Sequence, residues 1–140
     1  MALDFFHNHV RSTLIKDGWT ITNDPLTLQL GERKVYVDLA AERIIAAERG
    51  LEKIAVEIKS FIGSSVLRDL ENAVGQYSLY KKVLSVLDPE RILYLAIPEE
   101  TFQGIFSEQI GQLMLDTFIQ NALRYRTDKE EIVEWITQNN

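Results

Sequence analysis

Asp38, Glu57 and Lys59 are the side chains whose types and spacing could do chemistry. Glu57 and Lys59 stand two apart in KIAVEIKSF (residues 53–61), a run that otherwise reads as a buried β-strand. Successive strand residues face opposite ways, so Ala55, Glu57, Lys59 and Phe61 share one face and Ile54, Val56 and Ile58 the other. The same parity in KVYVDLA (34–40) sends Tyr36 and Asp38 to one side and Val35, Val37 and Leu39 to the other. If the two strands are neighbours, Asp38, Glu57 and Lys59 converge. Two carboxylates beside an amine suit Mg²⁺ or Mn²⁺, a hard cation held by one or two carboxylates and several waters. Such a cation polarises a phosphoryl oxygen and acidifies a bound water, and the lysine positions that water or stabilises developing charge. That chemistry cleaves phosphodiesters, with Asp38 and Glu57 as the metal ligands. A plainer reading makes the same face a solvated one, with Glu57 and Lys59 an ion pair worth ~0–1 kcal/mol.

The elements that must position these residues follow from periodicity. LDFFHNHVRSTLIKDG (3–18) is an amphipathic helix with Leu3, Phe6, Val10 and Leu14 on one stripe and Gly18 as its stop. WTIT is a short strand, NDP (23–25) a turn, and LTLQL and KVYVDLA flank Gly31 and Glu32 as a hairpin. Residues 41–50 fit either a helix, through their alanines, or a second hairpin. After IAVEIKSF comes a long helix over 64–88, N-capped by Ser64 or Ser65, with Val66, Leu70, Ala73, Tyr77 and Leu84 on its inner face. RILYLAIP (91–98) is apolar throughout, as a central strand covered on both sides must be. The remainder reads as a helical segment near 104–116, a strand near 119–126, and a closing helix in TDKEEIVEWI, where Thr127 and Glu130 have capping-box spacing. The expected fold is a single α/β domain over residues 1–140, a mixed central sheet flanked by helices around a strand–helix–strand crossover.

Composition limits the function classes. The chain has 140 residues, a hydrophobic fraction of 46% and a net charge of −6. Nine basic residues oppose ten acidic ones in residues 1–70, and six oppose eleven in 71–140. An acidic chain is a poor general DNA binder, because phosphate neutralisation supplies most nonspecific affinity. Arg33, Lys34, Arg43, Arg49 and Lys53 lie in the less acidic half and are the expected local positive rim. With no cysteine there is no disulfide, thiolate metal site or cysteine nucleophile. No apolar run is long enough for a membrane helix and the N-terminus lacks a signal-peptide pattern, so the expectation is a cytoplasmic protein without membrane contact. His7 and His9 are two apart on a helix and make a poor zinc pair. No phosphate-cradling glycine loop or nucleophile elbow supports a generic small-ligand domain. AAER at 40–43 and 46–49 is too short an echo for a structural repeat.

Asp38 followed by VEIKSF resembles the PD-(D/E)XK nuclease pattern, an aspartate on one strand and Glu-x-Lys on the next. QYSLY places Gln76 and Tyr80 four apart on one helical face. That spacing is similar to the Q-x-x-x-Y motif of RecB-like members of the superfamily. The resemblance implies a restriction-endonuclease-like core with Asp38, Glu57, Lys59, Gln76 and Tyr80 as the catalytic set. Val37, not proline, precedes Asp38, and Asp4 with His7 stands where many members carry an acidic residue on the first helix. Tyr80 packing in the core with Gln76 at its edge is the plainer account of that pair.

Across nearly the whole chain, LIKDGWTIT, VDLAAER, IAVEIKSF, QYSLY, GQL (111–113) and IVEWI are similar to the XisH-type fdxN element excision controlling factors of cyanobacteria. This likeness implies a part in programmed excision of a DNA element during heterocyst differentiation. It also implies DNA and a separate site-specific recombinase as partners, together with a small XisI-type protein. Oligomeric state is left open, homo-oligomers included. Two functions compete: a divalent-metal endonuclease, and a non-catalytic regulatory subunit that uses a nuclease-like fold for docking.

Overall fold

The computed structural model describes residues 2–46 and 50–137. Helix α1 (Ala2–Lys16) buries Val10 and Leu14, and Gly18, at φ 101°, turns the chain so that Trp19 N–H closes on the Leu14 carbonyl at 3.0 Å. The side chains of Leu3 and Asp4 lie outside the described residues. Five strands follow: β1 (Thr20–Asn23), β2 (Leu26–Leu30), β3 (Arg33–Val37), β4 (Leu39–Ala46) and β5 (Gly50–Ile58). Next come α2 (Val66–Leu87), β6 (Ile92–Pro98), α3 (Glu99–Gln103), a 3-10 turn (Ile105–Ser107) and α4 (Gln109–Thr117). Strands β7 (Asn121–Tyr125) and β8 (Ile132–Thr137) complete the described chain.

Six strands form one mixed sheet in the order β1-β4-β5-β6-β7-β8, while β2 and β3 form a separate two-stranded ribbon. The β5–β6 and β6–β7 pairs are parallel and the others antiparallel. Alternation sorts the core into two layers. Ala55, Leu93, Leu95, Ile97 and Ala122 pack with Leu70, Ala73, Tyr77 and Leu84 of α2 and with Phe106 and Leu115. Ile54, Val56, Tyr94, Ala96, Leu123 and Tyr125 pack with Val10 and Leu14 of α1 and with Trp19. The expected mixed sheet flanked by helices is therefore present, with RILYLAIP as an inner strand.

Four expectations change. KVYVDLA is not one strand: it leaves the ribbon at Val37 and enters the main sheet at Leu39, so Val37 and Leu39 lie in different core layers. Residues 41–50 resolve toward the hairpin, with Ala41 facing Ile54 and Ile44 facing Leu51, while 47–49 lie outside the described residues. The closing helix is strand β8: its β-branched Ile132, Val133, Ile136 and Thr137 pair against β7, and Thr127 bonds Glu100 rather than capping a helix. Val66 is exposed because the first turn of α2 projects past the core. Of the two candidate caps it is Ser65 whose Oγ accepts the Arg68 amide, at 3.2 Å.

Candidate functional site

Register brings the acidic pair together. Leu39 of β4 lies opposite Val56 of β5, so Asp38, one residue before the strand begins, comes level with Glu57. The break between β3 and β4 frees the Asp38 side chain from the sheet's alternation. Its Oδ2 accepts the Ile58 backbone amide at 2.7 Å, which fixes the carboxylate against the strand that carries Glu57. The Asp38 carboxylate is near enough to act on the Glu57 carboxyl.

Glu57 is only 6% exposed, and its Oε1 is buried without a hydrogen-bond partner. Burial, then the charge of Asp38 and the hydrogen bond shared with it, push the Glu57 carboxyl up from 4.5 to about 8, against the opposing pull of Lys59. At neutral pH Glu57 therefore favours its protonated form. The lysine charge is near enough to act on the pair, as the strand spacing requires.

The pair opens into a cavity of about 620 Å³. Phe6 and His7 of α1, the β5 end and residues 59–63 line it, with Asp69 and Asn72 of α2. The segment after β5 is held at two points. Phe61, in a left-handed conformation at φ 56°, packs edge-on against Phe106 with ring centres 5.6 Å apart. Gly63 donates its amide to Asp69 Oδ2 at 3.0 Å, and a Cβ at Gly63 would sit 2.7 Å from Asp69 Oδ1. A side chain at Gly63 would therefore displace the Asp69 carboxylate from its bond to that amide.

Helix α2 turns Tyr77 into the core and Tyr80 toward the acidic pair. Tyr77 is wholly buried, donating its hydroxyl to the Leu93 carbonyl at 3.2 Å and accepting the Asn121 amide at 3.1 Å. Tyr80 lies toward the acidic pair: burial, then Glu57 and Asp38, raise its hydroxyl pKa. Gln76 keeps a buried Oε1 without a partner. Neither Gln76 nor Tyr80 lines the cavity itself. Asp69 and Asn72, which do, were legible as the same stripe one and two turns earlier, since 69, 72, 76 and 80 recur at helical spacing.

His7 lines the cavity and bonds Asp24 Oδ1 through Nε2 at 2.7 Å, so its carboxylate partner comes from the turn after β1. His9 points elsewhere, its Nε2 on the Arg126 and Lys129 carbonyls at 2.7 and 3.0 Å. The expected basic rim is largely spoken for. Arg43 pairs with Glu52 at 2.9 Å and lies over the Trp19 ring, and Lys53 pairs with Asp88 at 3.0 Å. Arg33 and Lys34 are exposed on the ribbon, and Arg49 lies outside the described residues.

Among the described residues no group of three His, Cys, Asp or Glu side chains is spaced to hold a metal. The donor set at the cavity is two oxygen ligands with one orphaned buried oxygen. That set fits a hard divalent cation retaining several waters, held by Asp38 and Glu57. Among the described residues, no helix is long and apolar enough to cross a membrane.

Comparison with known proteins places this geometry in context. A family model described as XisH protein matches residues 1–133. The chain is similar to the crystal structure of an XisH family protein from Nostoc punctiforme, with 41% identity and a TM-score of 0.87, covering 96% of this chain and 100% of that one. It is similar also to an fdxN element excision controlling factor protein from Anabaena variabilis, with 37% identity and a TM-score of 0.86, covering 96% of this chain and 99% of that one. No curated protein gives a significant match.

Proposed function

The chain belongs to the XisH family, and we propose that it is an accessory factor controlling excision of a DNA element. It works beside a site-specific recombinase and binds a small XisI-type protein. The observation that carries this reading is the full-length likeness to the Anabaena variabilis controlling factor. The acidic balance favours it too, because a chain of net charge −6 with Arg43 and Lys53 already paired gains little from nonspecific phosphate contacts. The regulatory role, exerted through docking, is the primary function.

A second reading, divalent-metal-dependent phosphodiester hydrolysis in a restriction-endonuclease-like core, has one observation in its favour. A buried carboxylate, Glu57, stands beside the half-buried Asp38 at a sheet end, with a lysine two residues on. Bound there, Mg²⁺ or Mn²⁺ supplies Lewis-acid polarisation of a phosphoryl oxygen and a more acidic water. Asp38 offers a carboxylate already oriented by the Ile58 amide. Glu57, once deprotonated, would be the second ligand, and Lys59 would stabilise charge developing on the phosphate. Gln76 and Tyr80 order the pocket from the α2 side.

Reconstituted excision with the recombinase separates the readings. The protein should raise excision yield and should co-migrate with the XisI-type partner in sedimentation. No effect on yield would overturn the controlling role. Glu57→Gln and Lys59→Ala should support excision as the unmodified protein does. Loss of excision in both variants, with the fold intact, would transfer the function to the hydrolytic reading.

A further inference from the structure

We propose that the open outer edge of strand β8 is a docking edge for an extended strand of a partner polypeptide that carries basic side chains. The proposal rests on the docking reading above and names the surface and the chemistry of what docks there.

The main sheet ends in two unlike edges. Strand β1 is four residues long, its register against β4 shifts between Ile21 and Asn23, and Pro25 follows two residues on. Shortness, irregular register and proline all discourage a further strand. Strand β8 closes the sheet on the other side, and among the described residues no strand lies beyond it. It runs Ile132–Thr137 without Lys, Arg or Pro, and Glu134–Thr137 keep a regular register against β7. Alternate backbone N–H and C=O groups along that stretch face outward with no ladder partner. An extended polypeptide supplies donors and acceptors at the matching spacing, and a nucleic acid does not.

The edge is also presented ready-made. Trp135 packs on Tyr94 and Trp19, with ring centres 4.9 and 5.7 Å apart, and Ile136 packs against the opposite core layer. A strand pinned from both faces loses little freedom when another pairs with it.

Charge then selects the occupant. Residues 127–137 hold Asp128, Glu130, Glu131 and Glu134 against the single cation Lys129. Beside the strand lies a depression of about 640 Å³, lined by Glu99, Glu100, Asp128 and Glu131 together with the exposed Val133. Its one cation, Arg126, already binds Asp128 at 2.8 Å, and Arg124 is shared by Glu99 and Glu134 at 3.5 and 3.4 Å. A phosphate backbone would be repelled here. A second copy, pairing antiparallel over Ile132–Thr137, would set Glu134 beside its own image, like charge against like. A different chain whose strand bears Lys or Arg near Glu134 and the depression answers both the open ladder and the charge.

The test is amide hydrogen exchange followed by NMR on this chain, alone and saturated with the XisI-type protein. Outward amides of Glu134–Thr137 should exchange readily in the free chain and slow roughly tenfold in the complex, while those of β1 should not change. Glu131→Lys combined with Glu134→Lys should weaken the complex roughly tenfold and blunt its sensitivity to salt. Glu71→Lys, on the exposed side of α2, should change little. A complex that leaves the β8 amides exchanging as in the free chain, or that tolerates the double reversal as well as Glu71→Lys, would overturn the proposal and leave the docking reading standing. Slow β8 amides in a dimer of this chain alone would overturn it in favour of a second copy. No complex at all would overturn both, and the excision yield would then report the controlling role separately.

Discussion

The middle of strand β5 and its end carry charge in opposite conditions. Around the middle Arg91, its side chain 7% exposed, donates to Asp88 at 3.0 Å, Glu42 at 3.3 Å and the Ile54 carbonyl at 2.9 Å, while Lys53 donates to Asp88 at 3.0 Å. Burial alone would raise the Asp88 carboxyl, but hydrogen bonds from Lys53 and Arg91 outweigh it and hold it below its ordinary value. Near the end burial and Asp38 drive Glu57 up to about 8, and its Oε1 has no partner. Half-buried carboxylates beside the middle of β5 are thus stabilised by paired cations, while the buried Glu57 near its end is left short of positive charge. The second arrangement costs the fold stability, which is what makes it the candidate site.

Breaking the satisfied cluster should have the largest destabilising effect. Arg91→Met removes the cation shared by Glu42 and Asp88 and its bond to the Ile54 carbonyl, and should cost about 2–3 kcal/mol in urea unfolding. Relieving the strand end should act in reverse. Glu57 holds its proton in the folded state up to about pH 8 but loses it near 4.5 when unfolded. The folded state therefore binds the extra proton between those values, and stability falls as pH rises through that window. Glu57→Gln should remove this slope and be more stable than the unmodified protein by roughly 3 kcal/mol at pH 7, with the two converging below pH 4.5. Equal pH slopes would place the Glu57 carboxyl in water. A cation should do the same work as the substitution. Mn²⁺ at a hundredfold excess over its Kd should stabilise the unmodified protein by about 2.7 kcal/mol and leave Glu57→Gln nearly unmoved. The smallest effect belongs to the exposed Arg43–Glu52 pair, where Arg43→Lys should cost about 1 kcal/mol or less, part of it from the ring of Trp19.

Much of this contrast was legible in the sequence. Alternation correctly divides Ala55 from Ile54, Val56 and Ile58, because a strand covered on both faces leaves parity intact, but the strand ends at Ile58, short of the expected Phe61, which reaches the Ala55 layer from a left-handed turn. Asp38 reaches Glu57 as expected, though for a different reason: the chain changes sheets at Asp38, and the register Leu39 to Val56 does the aligning. No local signal announces such a switch, since Val37 and Leu39 are equally apolar. Strand β8 was misread because a capping-box spacing is a local cue, and pairing with β7 is a tertiary one that overrides it. Arg91 escaped notice for a similar reason. A lone arginine before a strand looks like surface, and only the fold brings Glu42, Lys53 and Asp88 around it. Asp69 and Asn72 shared the stripe of Gln76 and Tyr80 and were readable by extending it toward the helix start.

The most direct test of the central claim, that the Asp38–Glu57 pair is left short of positive charge to receive a cation, is a carbon-13 NMR titration of the Glu57 carboxyl with and without Mg²⁺. Without Mg²⁺ the midpoint should fall near about 8, and Mg²⁺ should move it sharply downward as the cation displaces the proton. A midpoint near the ordinary glutamate value of about 4.3, indifferent to Mg²⁺, would contradict the account.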